Sequence, residues 1–253
     1  MATAVPRISA PLLLFFRRIV RGYFRRNFHA VRVRGANRFS GATGPLIVYA
    51  NHGSWWDPMV AFHLADTLMP QRRHYAPMDS EALERYKILG WLGIFGVAME
   101  SARGAVQFLR TGEAVLAAGG VLWVTPQGRF VDARMRPLEF KAGLAALASR
   151  TGCTVLPLAI EYTFWDERTP ECLLQFGEAV HVRKGEALDG VLESALLAAM
   201  EELKEASMAR SARGFQTLSN GAVGTAGFYA LGLRVKAFLQ RRKYRAEHTA
   251  VGE

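Results

Sequence analysis

The sequence predicts a single α/β domain, a mixed sheet flanked by helices, entered through an amphipathic, membrane-contacting N-terminal helix. Three observations predict it. Short apolar runs rich in Val, Ile and Leu alternate with segments of helical periodicity, the signature of strands and helices interleaved around one sheet. The 253 residues, 50% of them hydrophobic, supply one well-buried core and are too few to favour several independent domains. Residues 1–30 combine apolar and arginine side chains in the pattern of an interfacial helix.

The elements follow in order. In the first segment, 1–30, an apolar run from Pro11 to Phe16 is followed by Arg17, Arg18, Arg21, Arg25 and Arg26, interleaved with Ile19, Val20, Tyr23, Phe24 and Phe28. The run is far shorter than the roughly 20 residues that span a bilayer. Its charges follow rather than precede it, unlike a secretory signal. Wound as a helix, it sets an apolar stripe beside a basic face, which suits a helix lying on anionic lipid or a first helix packed on the core. The second segment, 31–212, carries predicted strands at 31–35, 46–50, 72–77, 121–124 and 155–162, and a strand pair over 173–182 turning at Gly177. Predicted helices cover 58–68, 81–89, 102–116, 143–149 and 187–209, with a loop at 41–45 and an apolar, glycine-rich stretch at 90–97. The third segment, 213–253, is apolar and glycine-rich over 221–233 and then basic through Arg234, Lys236, Arg241, Arg242, Lys243 and Arg245; it suits a second membrane contact or a helix packed on the body.

Charge narrows the partners. Lys and Arg number 32 against 22 Asp and Glu, a net +10 that calls for an anionic partner: nucleic acid, a membrane surface or a phosphorylated substrate. No helix-turn-helix, RNP or zinc-finger pattern is present, so no nucleic-acid partner is expected. Cys153 and Cys172 lie in neither a CxxC nor a Cys/His arrangement, so no metal site is expected.

The chemistry concentrates in Asn51-His52-Gly53-Ser54-Trp55-Trp56-Asp57, directly after a short apolar strand. If a helical turn begins between His52 and Asp57, the carboxylate folds back onto the imidazole and fixes its tautomer at one nitrogen. The other nitrogen is then free to take a proton from an alcohol. This is the base-and-orienter half of a serine-protease triad, with a substrate hydroxyl in the place of the serine.

Four blocks in order carry a resemblance. The His52/Asp57 string resembles the H-x4-D motif of the glycerolipid acyltransferase superfamily, with Asn51 before it and Pro58 after. Thr125-Pro126-Gln127-Gly128-Arg129 resembles that family's F-P-E-G-T-R block, Phe140-Lys141-Ala142-Gly143 its F-K-x-G, and Val155-Leu156-Pro157-Leu158-Ala159-Ile160 its V-P-V-A-I. The likeness spans about residues 47–162. It implies direct acyl transfer from a thioester, acyl-CoA or acyl carrier protein, to the hydroxyl of a lysophospholipid or related polar lipid at the cytoplasmic face of an anionic membrane. No cofactor is implied beyond that thioester cosubstrate. His52 would be the general base and Asp57 its orienter. Arg103, Gln127, Gly128, Arg129 and Lys141 would bind substrate, and Trp55 and Trp56 would line the acyl pocket or the lipid interface. Backbone N–H groups near Gly53 or Gly128 would stabilise the oxyanion. No G-x-S-x-G elbow is present, in keeping with transfer without an acyl-enzyme.

Two departures bear on the substrate. Gln127 replaces the family's Glu, and Ala98-Met99 stands where the family carries an Asp-Arg pair that helps to bind glycerol phosphate; Arg103 follows one helical turn later. The acyl-transfer residues are intact, whereas glycerol phosphate is the weaker expectation for the acceptor. A glycolipid or carotenoid-type acceptor, or a catalytically weak membrane-binding protein of the same fold, are the alternatives.

Overall fold

The computed structural model describes residues 4–221. Within them a nine-stranded mixed sheet is flanked by helices on both faces, as predicted. In chain order the strands are β1 (Ala30–Arg34), β2 (Leu46–Ala50), β3 (His74–Asp79), β4 (Ile94–Val97), β5 (Val121–Val124), β6 (Thr154–Thr163), β7 (Glu171–Phe176), β8 (Val180–His181) and β9 (Gln216–Asn220). The helices are α1 (Ala10–Asn27), α2 (Ala36–Ser40), α3 (Asp57–Leu68), α4 (Ser80–Arg85), α5 (Ala102–Ala117), α6 (Gly143–Thr151) and α7 (Val191–Met208). The sheet order is β4-β3-β5-β2-β6-β7-β1-β9, with β8 pairing the start of β6. Strands β4, β3, β5, β2 and β6 run parallel, and β7 turns back antiparallel to β6.

The central strand β2 shows why its residues form this element. All five are buried, and their alternation sends Ile47 and Tyr49 into one core and Leu46, Val48 and Ala50 into the other. A strand covered on both faces reads as an unbroken apolar run, which is how the sequence presents it. Tyr49 also pins the layers, donating its hydroxyl to the carbonyl of Leu192 at 2.8 Å.

Helix α1 closes the second face. Val20 and Phe24 are buried, Phe16 packs edge-on against Phe62 of α3, and Arg17 and Arg21 both pair with Asp66 of α3, at 2.9 and 2.6 Å. Two of the five arginines expected on a lipid-facing surface are therefore committed to the protein. Leu14, Phe15, Arg18, Arg25 and Arg26 remain exposed. No helix among the described residues is long and apolar enough to cross a membrane.

Several boundaries differ from expectation. Strand β3 begins two residues later than predicted, because Arg72 is held as a loop residue by the carbonyls of Gly44, Gly119 and Gly120. The helix expected at 81–89 is two elements, α4 and a 3-10 turn over Lys87–Trp91, broken at Tyr86. Strand β4 occupies the end of the glycine-rich stretch, and α7 starts at Val191 rather than 187 because Gly190 before it is left-handed. Strand β9, which no pattern announced, adds residues past 212 to the edge of the sheet beside β1. Of the C-terminal segment, residues 222–253 lie outside those described.

Candidate active site

The two motif-bearing strands, β2 and β5, are parallel neighbours, so the chain leaves both at the same edge of the sheet. This is the carboxyl edge at which open α/β sheets place their sites. Asn51, the first residue beyond β2, ties that edge to β6: its amide donates to the carbonyl of Ile160 at 3.0 Å and accepts from the Ile160 N–H at 2.8 Å. The next residue, His52, is gripped from the other side. Its backbone N–H donates to Gln127 Oε1 at 3.0 Å, and its carbonyl accepts from the Val131 N–H at 2.8 Å. The loop after β5 therefore fixes the main chain of His52 at both ends. Gln127 is buried and touches the histidine backbone, which places this expected substrate ligand in a positioning setting. A neutral amide does this without burying a charge, which gives the departure from glutamate a physical sense.

The side chains converge on Asp57, the first residue of α3, where the helix N-terminus favours negative charge. Its carboxylate is 2% exposed and takes three hydrogen bonds. The Ser54 N–H donates to Oδ2 at 3.0 Å, the Tyr162 hydroxyl donates to Oδ1 at 2.7 Å, and His52 Nδ1 lies 2.8 Å from Oδ2. A carboxylate only accepts, so Nδ1 carries the proton in the neutral imidazole and the lone pair sits on Nε2. The phenol of Tyr162 is held well above its ordinary range, by burial first and by the nearby Cys172 and Asp57 as well, so it stays a donor. The ring of Phe130 covers the imidazole at 4.4 Å.

Tyr162, Ser54 and Phe130 belong to this site and escaped the sequence reading. Tyr162 reaches Asp57 because β6 runs five residues beyond its pairing with β2, so its far end rises beside the loop. The only available signal was a tyrosine in that overhang. Behind it, Trp56 and Tyr162 pack against Phe28 of the α1 connection, at 4.9 and 5.7 Å, and Phe24 lies 5.8 Å from Trp56. Trp56 thus anchors α1 to the site, while Trp55 is 63% exposed.

The remaining expected residues lie on the surrounding loops. Gly128 sits at φ 65°, a conformation that favours glycine, and a Cβ there would meet Lys141 Cε at 2.8 Å and Met99 Cε at 3.0 Å. Its N–H is used within a turn, donating to the Thr125 carbonyl at 3.0 Å. Lys141 pairs with Glu100, and Arg129 pairs with Glu139 at 2.7 Å. Arg103 is exposed in the first turn of α5. Both cysteines are buried and unpaired. Among the described residues no group of His, Cys, Asp or Glu is arranged to hold a metal.

The profile of the Acyltransferase family matches residues 30–161, which hold this geometry except Tyr162, one residue beyond the match, and the α1 backing. Among solved structures, the chain is similar to the 1-acyl-sn-glycerophosphate (LPA) acyltransferase PlsC from Thermotoga maritima. The TM-score is 0.56 at 17% identity, over 77% of this chain and 78% of that one, a likeness of fold. No curated protein matches the chain.

Proposed function

The chain belongs to the acyltransferase family, and from that premise we propose that it moves a fatty acyl group from acyl-CoA or acyl carrier protein onto the hydroxyl of a lysophospholipid or related polar lipid. The observation that carries this reading is the line from Tyr162 through Asp57 to His52, which engages Nδ1 and so puts the lone pair of the neutral imidazole on Nε2. The imidazole is 16% exposed, open enough to meet a hydroxyl and sheltered enough to be held.

In the proposed step the acceptor oxygen attacks the thioester carbon while Nε2 takes the hydroxyl proton. The tetrahedral intermediate collapses, the C–S bond breaks, and the imidazolium returns the proton to the leaving thiolate. Asp57 stabilises the transient imidazolium and holds the ring. The Gly53 N–H, which has no acceptor among the described residues, is the backbone donor best placed by sequence for the oxyanion. Transfer is direct, and no cofactor is needed beyond the thioester.

The PlsC of the structural comparison acts on a lysophosphatidic acid, and by that analogy the acceptor here is a lipid. Exposed Leu14, Phe15, Arg18, Arg25 and Arg26 on α1 support peripheral docking on the cytoplasmic face of an anionic membrane. The test is acyl transfer by purified protein in liposomes, with palmitoyl-CoA or acyl carrier protein thioester, a panel of lysophospholipids and glycolipids, and products read by mass spectrometry. New acyl esters that vanish in His52→Ala are expected. Intact liposome binding with no transfer to any acceptor would instead favour a membrane-binding protein without catalysis.

A further inference from the structure

The loop that follows β5 forms the wall of the site: Gln127 and Val131 hold the His52 backbone and Phe130 covers its ring. This wall carries four cations over residues 125–141, and each is matched to a carboxylate. Arg129 pairs with Glu139 at 2.7 Å, Arg134 with Asp132 at 2.7 Å, Arg136 with Glu201 at 2.8 Å, and Lys141 with Glu100. Each of these four cations thus meets a carboxylate, Glu201 being shared with Lys204 of α7 at 2.8 Å, and most of the chain's net +10 arises elsewhere. The carboxylates are not buried counter-ions. The side chains of Glu100 and Glu139 are 82% and 69% exposed, so they face whatever approaches the wall. Beside them, Met99 presents a methyl group against Gly128, and Gln127 adds no charge.

A phosphate monoester carries close to two negative charges and needs a site with cationic surplus. Here it would meet Glu100, more exposed than its partner Lys141 at 43%, and Glu139 beside an equally exposed Arg129, and would either repel these carboxylates or displace them from their partners. A hydroxylated, uncharged headgroup meets no such conflict. Its hydroxyls donate to the carboxylates and accept from the guanidinium and ammonium groups, so the paired wall is a hydrogen-bonding surface for it. We propose that the acceptor of this enzyme is a lipid with an uncharged, hydroxylated headgroup, such as a glycosyl or glyceryl group, and that Glu100 and Glu139 discriminate against phosphate monoesters. The proposal rests on the acyl-transfer reading above. The bond changes are those already given: the headgroup oxygen gains the acyl carbon, the C–S bond breaks, and the hydroxyl proton passes through His52 to the thiolate.

The test uses the full chain in vesicles of phosphatidylcholine with a fixed excess of phosphatidylglycerol, so that every arm presents the same anionic surface, with palmitoyl-CoA and three acceptors of one acyl chain: lysophosphatidate, monoacylglycerol and monoacyl-glucosylglycerol. The wild type is expected to show a higher kcat/KM on at least one uncharged acceptor than on lysophosphatidate. In the Glu100→Gln/Glu139→Gln variant the ratio should move toward lysophosphatidate by about fivefold, the weight of one or two exposed charge interactions. Because both side chains are on the surface, the variant folds if its thermal transition matches wild type, and Glu100→Asp, which keeps the charge, should leave the ratio in place. Lysophosphatidate as the preferred wild-type acceptor, with activity lost in His52→Ala, would overturn this inference and leave the acyl-transfer reading standing. So would a ratio that the double variant does not move. No transfer to any of the three acceptors would remove both.

Discussion

The floor beneath His52 and the wall beside it are built from the same kinds of side chain in opposite settings. In the floor, Asp57 is 2% exposed and every contact comes from a different part of the fold: a loop N–H, a strand phenol and the imidazole. In the wall, Arg129 and Glu139 are 67% and 69% exposed, and each relies on one partner. A buried charge stays ionised only when its hydrogen bonds are complete, so losing one donor is costly. An exposed pair is worth about 0–1 kcal/mol, because water and salt replace it readily. The difference assigns fixed geometry to the floor and exchangeable selectivity to the wall.

Removing charge from the floor should have the largest effect. Asp57→Asn should lower kcat by roughly 10³–10⁴-fold, the scale seen when a buried orienting carboxylate is neutralised beside a catalytic histidine. Steady-state rates alongside circular dichroism check it, and a loss below tenfold in a folded variant would erase the distinction between floor and wall.

Acid should expose a second cost of burial. His63 and His74 are each pushed down to about 4 by burial, and both are neutral in the fold. His74 is satisfied in that state, with Nε2 toward the Met69 carbonyl and Nδ1 accepting from Trp123 Nε1, whereas neither nitrogen of His63 has a partner where it stacks on Phe24. The unfolded chain binds these protons near 6.5 and the folded chain only near 4. Their stabilising effect is therefore complete above 6.5 and is lost as pH falls between the two values. Each should cost about 2 kcal/mol at pH 5. Urea midpoints at pH 7 and 5 measure it, and His63→Phe should shrink the difference by about half.

Tyr162→Phe removes one neutral donor from Asp57 while keeping the ring against Phe28. A fall in kcat of about fivefold, at nearly constant KM, is expected from one hydrogen bond. An unchanged kcat would show that Ser54 and the helix terminus suffice to hold the carboxylate. The smallest effect belongs to the wall: Arg129→Ala should move stability by no more than about 0.5 kcal/mol by thermal melts.

The same contrast explains what the sequence could show. β2 and β5 were legible because strands buried on both faces are unbroken apolar runs, and His52 with Asp57 was legible because the pair lies within a single turn of chain. Tyr162 lies 105 residues from Asp57, and only the overhang of β6 joins them, so no local spacing could announce it. β9 was silent for another reason: Gln216–Asn220 is a polar edge strand without apolar alternation. The wall's pairings were equally hidden. Arg129 and Lys141 read as substrate-binding cations in the chain, and their partners Glu139 and Glu100 are set by how the loop folds.

The central claim is that His52 and Asp57 act as one unit on the acceptor hydroxyl. The most direct test is a double-mutant cycle of His52→Ala, Asp57→Asn and the combined variant, measured as thioester-dependent ester formation in liposomes. If the carboxylate works only through the imidazole, the combined variant should form product at a rate within about threefold of His52→Ala alone. Losses that multiply, or transfer that survives in His52→Ala, would contradict it.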